Sequence, residues 1–343
     1  MKIAINGFGR IGRSFFRAAF ALPSEALAKD VPDFEIVAIN DLTDTETLAY
    51  LLKYDSVYGR YGKSVESKKD SLKVSGQGVK IFTEKDPAKL PWKDLGIDIV
   101  IESTGFFTSS VKAQAHIDTG AKRVVITAPA YGDVTTALIG VNDDLFAKAG
   151  PLTCNASCTT NSVAPLLQIL LEEYGVKKAG MVTVHGYTAT QKLVDGPDSK
   201  DMRRGRAAAV NIVPSTTGAA EAVIQAIPDL AGKFDATAIR VPTITGSLSI
   251  ITAYLKNKTS AAEINKMFYR VVQSSRWSKT VKVTEDPIVS TDIIGEPFGA
   301  IIDLGMTRVI DSDLTQIYSW YDNEAGYTAT LVEHVMRVAA NLI

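Results

Sequence analysis

The first twenty residues constrain this chain most. Residues 2–6, Lys-Ile-Ala-Ile-Asn, have the apolar, β-branched character of a buried strand. Glycines follow at positions 7, 9 and 12. An amphipathic segment then runs from residue 11 to about 27, where Pro23 is expected to break the last turn. A strand that passes through glycines into a helix is the opening of a βαβ unit. The spacing Gly7-Phe8-Gly9-Arg10-Ile11-Gly12 is G-x-G-x-x-G, which is weak alone and informative in this context. Such glycines permit a tight turn and close approach of a pyrophosphate, and the helix start offers unpaired N–H groups. The bland alternative is a glycine turn with no ligand.

The same alternation continues to about residue 150. Strands are expected at 35–40, 98–102, 123–127 and 137–141, with helices at 45–52 and 110–119. Strands separated by helices imply a parallel sheet. Asp41 closes the second strand and is placed to accept from a ribose hydroxyl, which favours NAD over NADP because a 2′-phosphate would be repelled. It lies 29 residues beyond Gly12 rather than the usual ~20, and the polar stretch 23–33 accounts for the excess as an inserted loop.

Composition narrows the class. A length of 343 residues suggests two domains at roughly 150 residues each. Two cysteines exclude a disulfide scaffold and a Cys-rich zinc module, and no metal is expected. The net charge of -1 gives no electrostatic reason for a dedicated nucleic-acid or anionic-membrane partner. No apolar run reaches the ~18 residues of a membrane helix, and the N-terminus does not read as a secretory signal. A cytoplasmic, reduced protein is the expectation.

After residue 157 the pattern becomes richer in strands. A long helix is expected from Cys158 to about Tyr174, with a kink or a delayed start at Pro165 and a stop at Gly175. Strands are expected at 180–185, 234–241 and 247–255, and a helix at 325–342. Residues 186–217 lack periodicity, and so long a loop in a compact domain is usually functional. Cys158 stands at a helix start among hydroxyl and amide side chains, where the dipole favours a thiolate. It is either a nucleophile or a buried small hydrophobe. Among His116, His185 and His334, the best general base is His185, which ends a strand in the same half; His116 reads as part of a surface helix. Cys154 reads as core. The segment 200–206 holds Lys200, Arg203, Arg204 and Arg206, which suit an anion, a solvated loop or a weak nucleic-acid patch. Ser215, Thr216, Thr217 and Gly218 precede another helix start. Arg240, between Ile239 and Val241, is a core ion pair or a ligand anchor.

These segments carry a family likeness. INGFGRIGR at 5–13, VAIND at 37–41, YDS at 54–56, ESTG at 102–105, NASCTTN at 155–161, HGYTATQKLVDGP at 185–197, PSTTGAA at 214–220, RVPT at 240–243 and SWYDNEAGYT at 319–328 run almost end to end. In these motifs the chain resembles the phosphorylating glyceraldehyde-3-phosphate dehydrogenases. The resemblance implies an α/β chain with an N-terminal Rossmann NAD-binding domain over 1–157, completed by a helix at 323–343. It also implies an α+β catalytic domain over 158–322 with a mixed or antiparallel sheet and a polar S-loop at about 186–212.

It further implies roles. Cys158 would attack the aldehyde of glyceraldehyde 3-phosphate, and His185 would activate the thiol. Inorganic phosphate would then release 1,3-bisphosphoglycerate from a thioester. One phosphate pocket would use Thr188, Arg204 and Arg240, and the other Ser157, Thr159, Thr217 and Gly218. NAD would meet Gly7, Gly9, Arg10, Ile11, Gly12, Asp41, Lys85 and Thr127, with Asn323 holding the nicotinamide amide and Tyr327 packed nearby. Leu42 and Pro197 match the NAD-preferring pattern. The S-loop would reach a neighbouring subunit's cofactor in a homotetramer.

Departures are Ser162 where the family often has Cys, Cys154 where Ser is common, and residues 244–250 in place of a stretch containing Val-Val-Asp-Leu. Two rival readings are an erythrose-4-phosphate dehydrogenase and a non-catalytic NAD-binding interaction protein.

Overall fold

A computed structural model describes residues 1–20, 35–199 and 201–342, and they form two compact units. Residues 1–137, 143–156 and 331–343 make the first, and 138–142 with 157–330 the second. The division puts the end of the C-terminal helix, not all of it, with the first unit.

The first unit is built on one sheet. Its strands are β1 (Lys2–Asn6), β2 (Glu35–Asn40), β3 (Val65–Lys68), β4 (Ser71–Val74), β5 (Gln77–Phe82), β6 (Ile99–Glu102), β7 (Arg123–Ile126), β8 (Thr135–Thr136) and β9 (Leu152–Cys154). They lie in the order β8-β9-β7-β6-β1-β2-β5-β4-β3. Pairing is parallel from β8 to β5 and antiparallel over β5, β4 and β3. Ile3, Ala4 and Ile5 are all buried, as a central strand covered on both faces requires. Helix α1 (Arg10–Ala19) turns Phe15, Phe16 and Ala19 inward. The expected continuation to residue 27, with Pro23 and the insertion 23–33, lies outside the described residues.

Two expectations fail here. Residues 137–141 are a turn, not a strand. Ala137 N–H still donates to Cys154 O, but Leu138 N–H is taken at 2.8 Å by the Asn142 side chain, which bends the chain away from the sheet. His116, on α2 (Ser110–Asp118), is 0% exposed rather than a surface residue. Trp92 Nε1–H donates to its Nδ1 at 3.0 Å, so its Nε2–H faces the Glu102 carboxylate at 3.1 Å. The edge hairpin β3–β4 gives little sequence signal, because each strand is only four residues long and buries just Val65, Leu72 and Val74.

The second unit opens on α3 (Cys158–Tyr174), which is continuous through Pro165. Its principal strands are β10 (Val176–Gly186), β11 (Val213–Ser215), β12 (Phe234–Val241), β13 (Ser247–Leu255), β14 (Val281–Thr284), β15 (Ala300–Asp303) and β16 (Leu314–Tyr321). The order is β11-β12-β10-β13-β16-β15-β14. Pairing is mixed: β10 runs parallel to β12 and antiparallel to β13. Helix α3 packs on β10, β13, β15 and β16 and against α4 (Ala219–Ala226). The loop after β10 is largely irregular, with short 3-10 turns at Met202–Gly205 and Ala208–Val210. The C-terminal helix α5 spans Ala325–Ala340.

Candidate active site

The first unit supplies a cradle at the carboxyl ends of adjacent parallel strands. Gly7 follows β1 with φ +91°, and a Cβ there would sit 2.7 Å from Thr104 N. Gly12 lies so close to Gly7 O that no side chain fits between them. Above Gly9 there is open space. Helix α1 has no side-chain cap and no acidic residue in its first turn, so its leading N–H groups are left for an anion. Asp41 follows β2 and accepts from Phe8 N–H at 2.7 Å and Thr43 N–H at 3.0 Å, which holds it beside the glycine turn. Exposed Lys85 follows β5, and Thr127 follows β7 with its N–H on Glu102 O. The Arg10 side chain is directed to Asp55 at 2.5 Å, leaving the backbone of Arg10 and Ile11 in the first helical turn. An open glycine cradle, free helix donors and an acidic strand end fit a dinucleotide with an unmodified ribose hydroxyl.

A buried polar network backs this cradle. Asn40 Nδ2 donates to Asn6 Oδ1 at 2.7 Å, and Asn6 Nδ2 donates to Glu102 at 2.6 Å. His116 and Trp92 complete it. None of these partners is within ten residues of the next, so the sequence offered no signal for it.

The second unit holds the reactive pair. Ser157 caps α3 by accepting from Thr160 N–H at 3.1 Å, which sets Cys158 as the first helical residue. Cys158 Sγ lies 3.4 Å from His185 Nε2. His185 is 2% exposed, and its Nδ1 is 2.7 Å from Gly186 O. Nδ1 meets two groups of opposite demand: the Gly186 carbonyl can only accept a hydrogen, and the Arg240 guanidinium, 2.6 Å away, can only donate one. With the hydrogen on Nδ1, shared with Gly186 O, Nε2 presents its lone pair to the thiol, which is the tautomer a general base needs. Burial, helped by the Arg240 guanidinium, pushes the imidazole down to about 3. Burial also pushes the Cys158 thiol up, while Arg240 and the Thr159 hydrogen bonds pull it down. The free pair is therefore a neutral thiol beside a neutral imidazole. Cys154, by contrast, is buried on β9 with its sulfur 3.3 Å from Thr136 Oγ1.

Tyr321 steadies the pair, a role its place in the sequence does not signal. Its ring meets His185 edge-on at 5.8 Å, and its hydroxyl lies 3.0 Å from Thr159 Oγ1 and 2.7 Å from Thr183 Oγ1. The motif SWYDNEAGYT contained it, but only the tertiary structure distinguishes it from core.

An anion site adjoins the histidine. Arg240 Nη1 lies 2.6 Å from His185 Nδ1 and 3.2 Å from Gly186 O. Arg204 is near enough to repel its charge. Arg204 Nη2 donates to Thr190 Oγ1, which lies 3.1 Å from Thr188 Oγ1. Arg204 Nε and Gln191 Nε2 are buried without partners among the described residues. Neither Arg204 nor Arg240 forms an ion pair there. Two unneutralised guanidiniums beside orphaned donors suit a phosphate. Arg203 and Arg206 are exposed, and Arg206 pairs with Asp195; Lys200 lies outside the described residues.

The second proposed phosphate set is less distinct. Ser157 and Thr159 start α3, and Thr217 and Gly218 start α4. Thr217 Oγ1 accepts from Ala219 N–H, and the Ser157 and Thr159 hydroxyls already bond Thr160 and Tyr321. Asn323 follows β16 with its side-chain oxygen held by the 245–247 turn, and Tyr327 is buried in α5.

Residues 1–110 match the family profile described as glyceraldehyde 3-phosphate dehydrogenase, NAD binding domain, and residues 157–323 match glyceraldehyde 3-phosphate dehydrogenase, C-terminal domain. The chain belongs to the glyceraldehyde 3-phosphate dehydrogenase family. It is 47% identical to the glyceraldehyde-3-phosphate dehydrogenase of Mycobacterium avium, over 100% of this chain and 99% of that protein. It is also 47% identical to that of Clostridium acetobutylicum, over 96% of each. The Mycobacterium leprae relative is 45% identical over 100% of this chain and 99% of that protein. NAD is thus the cofactor of this glyceraldehyde 3-phosphate dehydrogenase family member. Of the family departures, Ser162 is buried and bonds Ser319 across to β16 at 3.2 Å. Among the described residues, no helix is long and apolar enough to cross a membrane.

Proposed function

We propose that the protein oxidises glyceraldehyde 3-phosphate with NAD and inorganic phosphate to 1,3-bisphosphoglycerate. The observation that carries this reading is the Cys158–His185 pair, with Nε2 of the histidine turned to the thiol. His185 Nε2 takes the thiol proton as sulfur bonds to the aldehyde carbon, and returns that proton to the oxyanion to give a thiohemiacetal. Nε2 then takes the hydroxyl proton as the carbonyl re-forms. The cofactor, when bound, supplies the acceptor for the hydride, the hydrogen and two electrons of that carbon's C–H bond. The product is a thioester on Cys158. Phosphate oxygen adds to the acyl carbon and the carbon–sulfur bond breaks, returning the thiolate and releasing the acyl phosphate. A histidine base in such steps contributes about 10²–10⁴-fold.

Arg204 and Arg240, with Thr188 and Thr190 beside them, form the anchor for a substrate phosphate, and Ser157, Thr159, Thr217 and Gly218 form the second anion set. Gly7, Gly9, Arg10, Ile11, Gly12, Asp41, Lys85 and Thr127 hold the dinucleotide, with Asn323 on the nicotinamide amide and Tyr327 packed near it. We further assign the protein to the cytoplasm as a homotetramer; exposed Leu193, Val194, Val210 and Ile212 in the S-loop support a partner subunit. The test is NADH absorbance with purified protein, NAD and glyceraldehyde 3-phosphate, with and without phosphate. Phosphate-dependent NADH formation is expected. No NADH would favour the non-catalytic reading, and faster turnover of erythrose 4-phosphate would favour the other dehydrogenase.

A further inference from the structure

The stretch that departs from the family pattern, residues 244–250, is a turn at 244–246 leading into β13, and it closes on Asn323. Gly246 N–H donates to Asn323 Oδ1 at 3.0 Å and Ser247 Oγ–H at 3.1 Å, while the one hydrogen of Thr245 Oγ1 is shared between Asn323 Oδ1 at 3.2 Å and Asp322 Oδ1 at 3.3 Å. The backbone N–H can only donate, so the atom it meets is the amide oxygen and not the nitrogen. The direction of the Ser247 hydrogen is also fixed. Gly186 N–H donates to Ser247 Oγ at 3.3 Å, so the serine's own hydrogen is released toward Asn323. Gly246 has φ +92°, and a Cβ there would lie 2.7 Å from Ser290 O. Only glycine takes this conformation easily, and it aims the N–H at Asn323.

The Gly246 and Ser247 donors fill both lone pairs of that oxygen, with the shared Thr245 hydroxyl beside them, and leave Asn323 no acceptor to offer. Its Nδ2 has no hydrogen-bond partner among the described residues, so Asn323 meets a ligand as a pure donor. We propose that Ser247, with Thr245, is a positioning residue that locks the Asn323 amide so that Nδ2 faces the carboxamide oxygen of the nicotinamide. This rests on the reading that Asn323 holds the nicotinamide amide. Ser247 also joins that amide to the Gly186 peptide whose carbonyl lies 2.7 Å from His185 Nδ1. One buried hydroxyl thus ties the cofactor-orienting amide to the peptide that orients the base.

The experiment compares binding of NAD and of ADP-ribose, which lacks the nicotinamide, by calorimetry on the full-length protein. Ser247→Ala should weaken NAD about tenfold, the worth of one buried hydrogen bond, and leave ADP-ribose within about twofold. Thr245→Val, which keeps the side-chain shape, should act in the same direction and covers the case in which Ser247→Ala does not fold. Ser247→Thr, which keeps a hydroxyl, should restore most of the NAD affinity. In an Asn323→Ala background the Ser247→Ala effect should disappear. Equal losses for both ligands, or an undiminished effect without Asn323, would overturn the proposal alone. An Asn323→Ala variant with unchanged preference for NAD over ADP-ribose would remove the underlying reading and the proposal together.

Discussion

His185 and Arg240 are register partners on the parallel strands β10 and β12, and Arg240 Nη1 lies 2.6 Å from the histidine Nδ1. A residue suited to binding phosphate therefore touches the far side of the base. Its charge opposes an imidazolium and favours a thiolate, so it acts on both members of the reactive pair.

The signs give a first prediction for Arg240→Leu. Removing a cation relieves the imidazolium, so the His185 pKa rises from about 3, though burial keeps it below 6.5. The thiolate loses a favourable charge, so the Cys158 thiol pKa rises further. Alkylation of Cys158 by iodoacetamide at neutral pH should slow, and its alkaline limb should move upward. Imidazole NMR should show His185 shifting while His334, held near 3 by burial alone, stays put. An unchanged alkylation profile would remove the electrostatic role of Arg240.

Replacing the proposed nucleophile separates chemistry from binding. Cys158→Ser should lose turnover by at least about 10³-fold while its NAD affinity, measured by calorimetry, stays within twofold. Cys154→Ser should remain active, because that sulfur is buried on β9, 3.3 Å from Thr136 Oγ1. His185→Asn should lower kcat by about 10²–10⁴-fold. Retained activity in Cys158→Ser would refute the nucleophile assignment.

Asp41 offers a test of cofactor choice. Its carboxylate is already oriented by Phe8 N–H and Thr43 N–H, so the position of its charge is fixed before any ligand arrives. Asp41→Asn should weaken NAD and at the same time ease the repulsion of a 2′-phosphate. The ratio of NADP to NAD dissociation constants should fall by about tenfold. A ratio that does not move would show that discrimination lies elsewhere.

Much of this was readable in the sequence, for local reasons. A strand, glycine turn and helix share the eighteen consecutive residues 2–19, and Cys158 announces itself through the apolar helix that follows. What stayed hidden depends on residues far apart in the chain. The pairing of His185 with Arg240 spans 55 residues and needs the parallel register of two strands. The clamp on Asn323 spans 76 to 78 residues. Residues 137–141 are apolar enough for a strand, yet the Asn142 side chain captures a backbone donor and ends the ladder. His116 reads as a surface residue because its partners, Trp92 and Glu102, are 24 and 14 residues away.

That buried trio predicts a stability effect without a chemical one. His116→Leu strands the Trp92 N–H and removes one donor from Glu102. The loss should be about 1–3 kcal/mol in urea unfolding. A change below about 0.5 kcal/mol would mean that the network is dispensable.

The contrast between the two cysteines gives the chain an internal clock. Cys158 is half-buried and Cys154 is sealed within the parallel sheet. A disulfide reagent should consume one equivalent quickly, and that equivalent counts competent centres. The second can react only when strand β9 leaves its neighbours, at a rate set by the opening of the sheet. A single thiol titration followed over time therefore reports both how many molecules can react and how often each one comes apart.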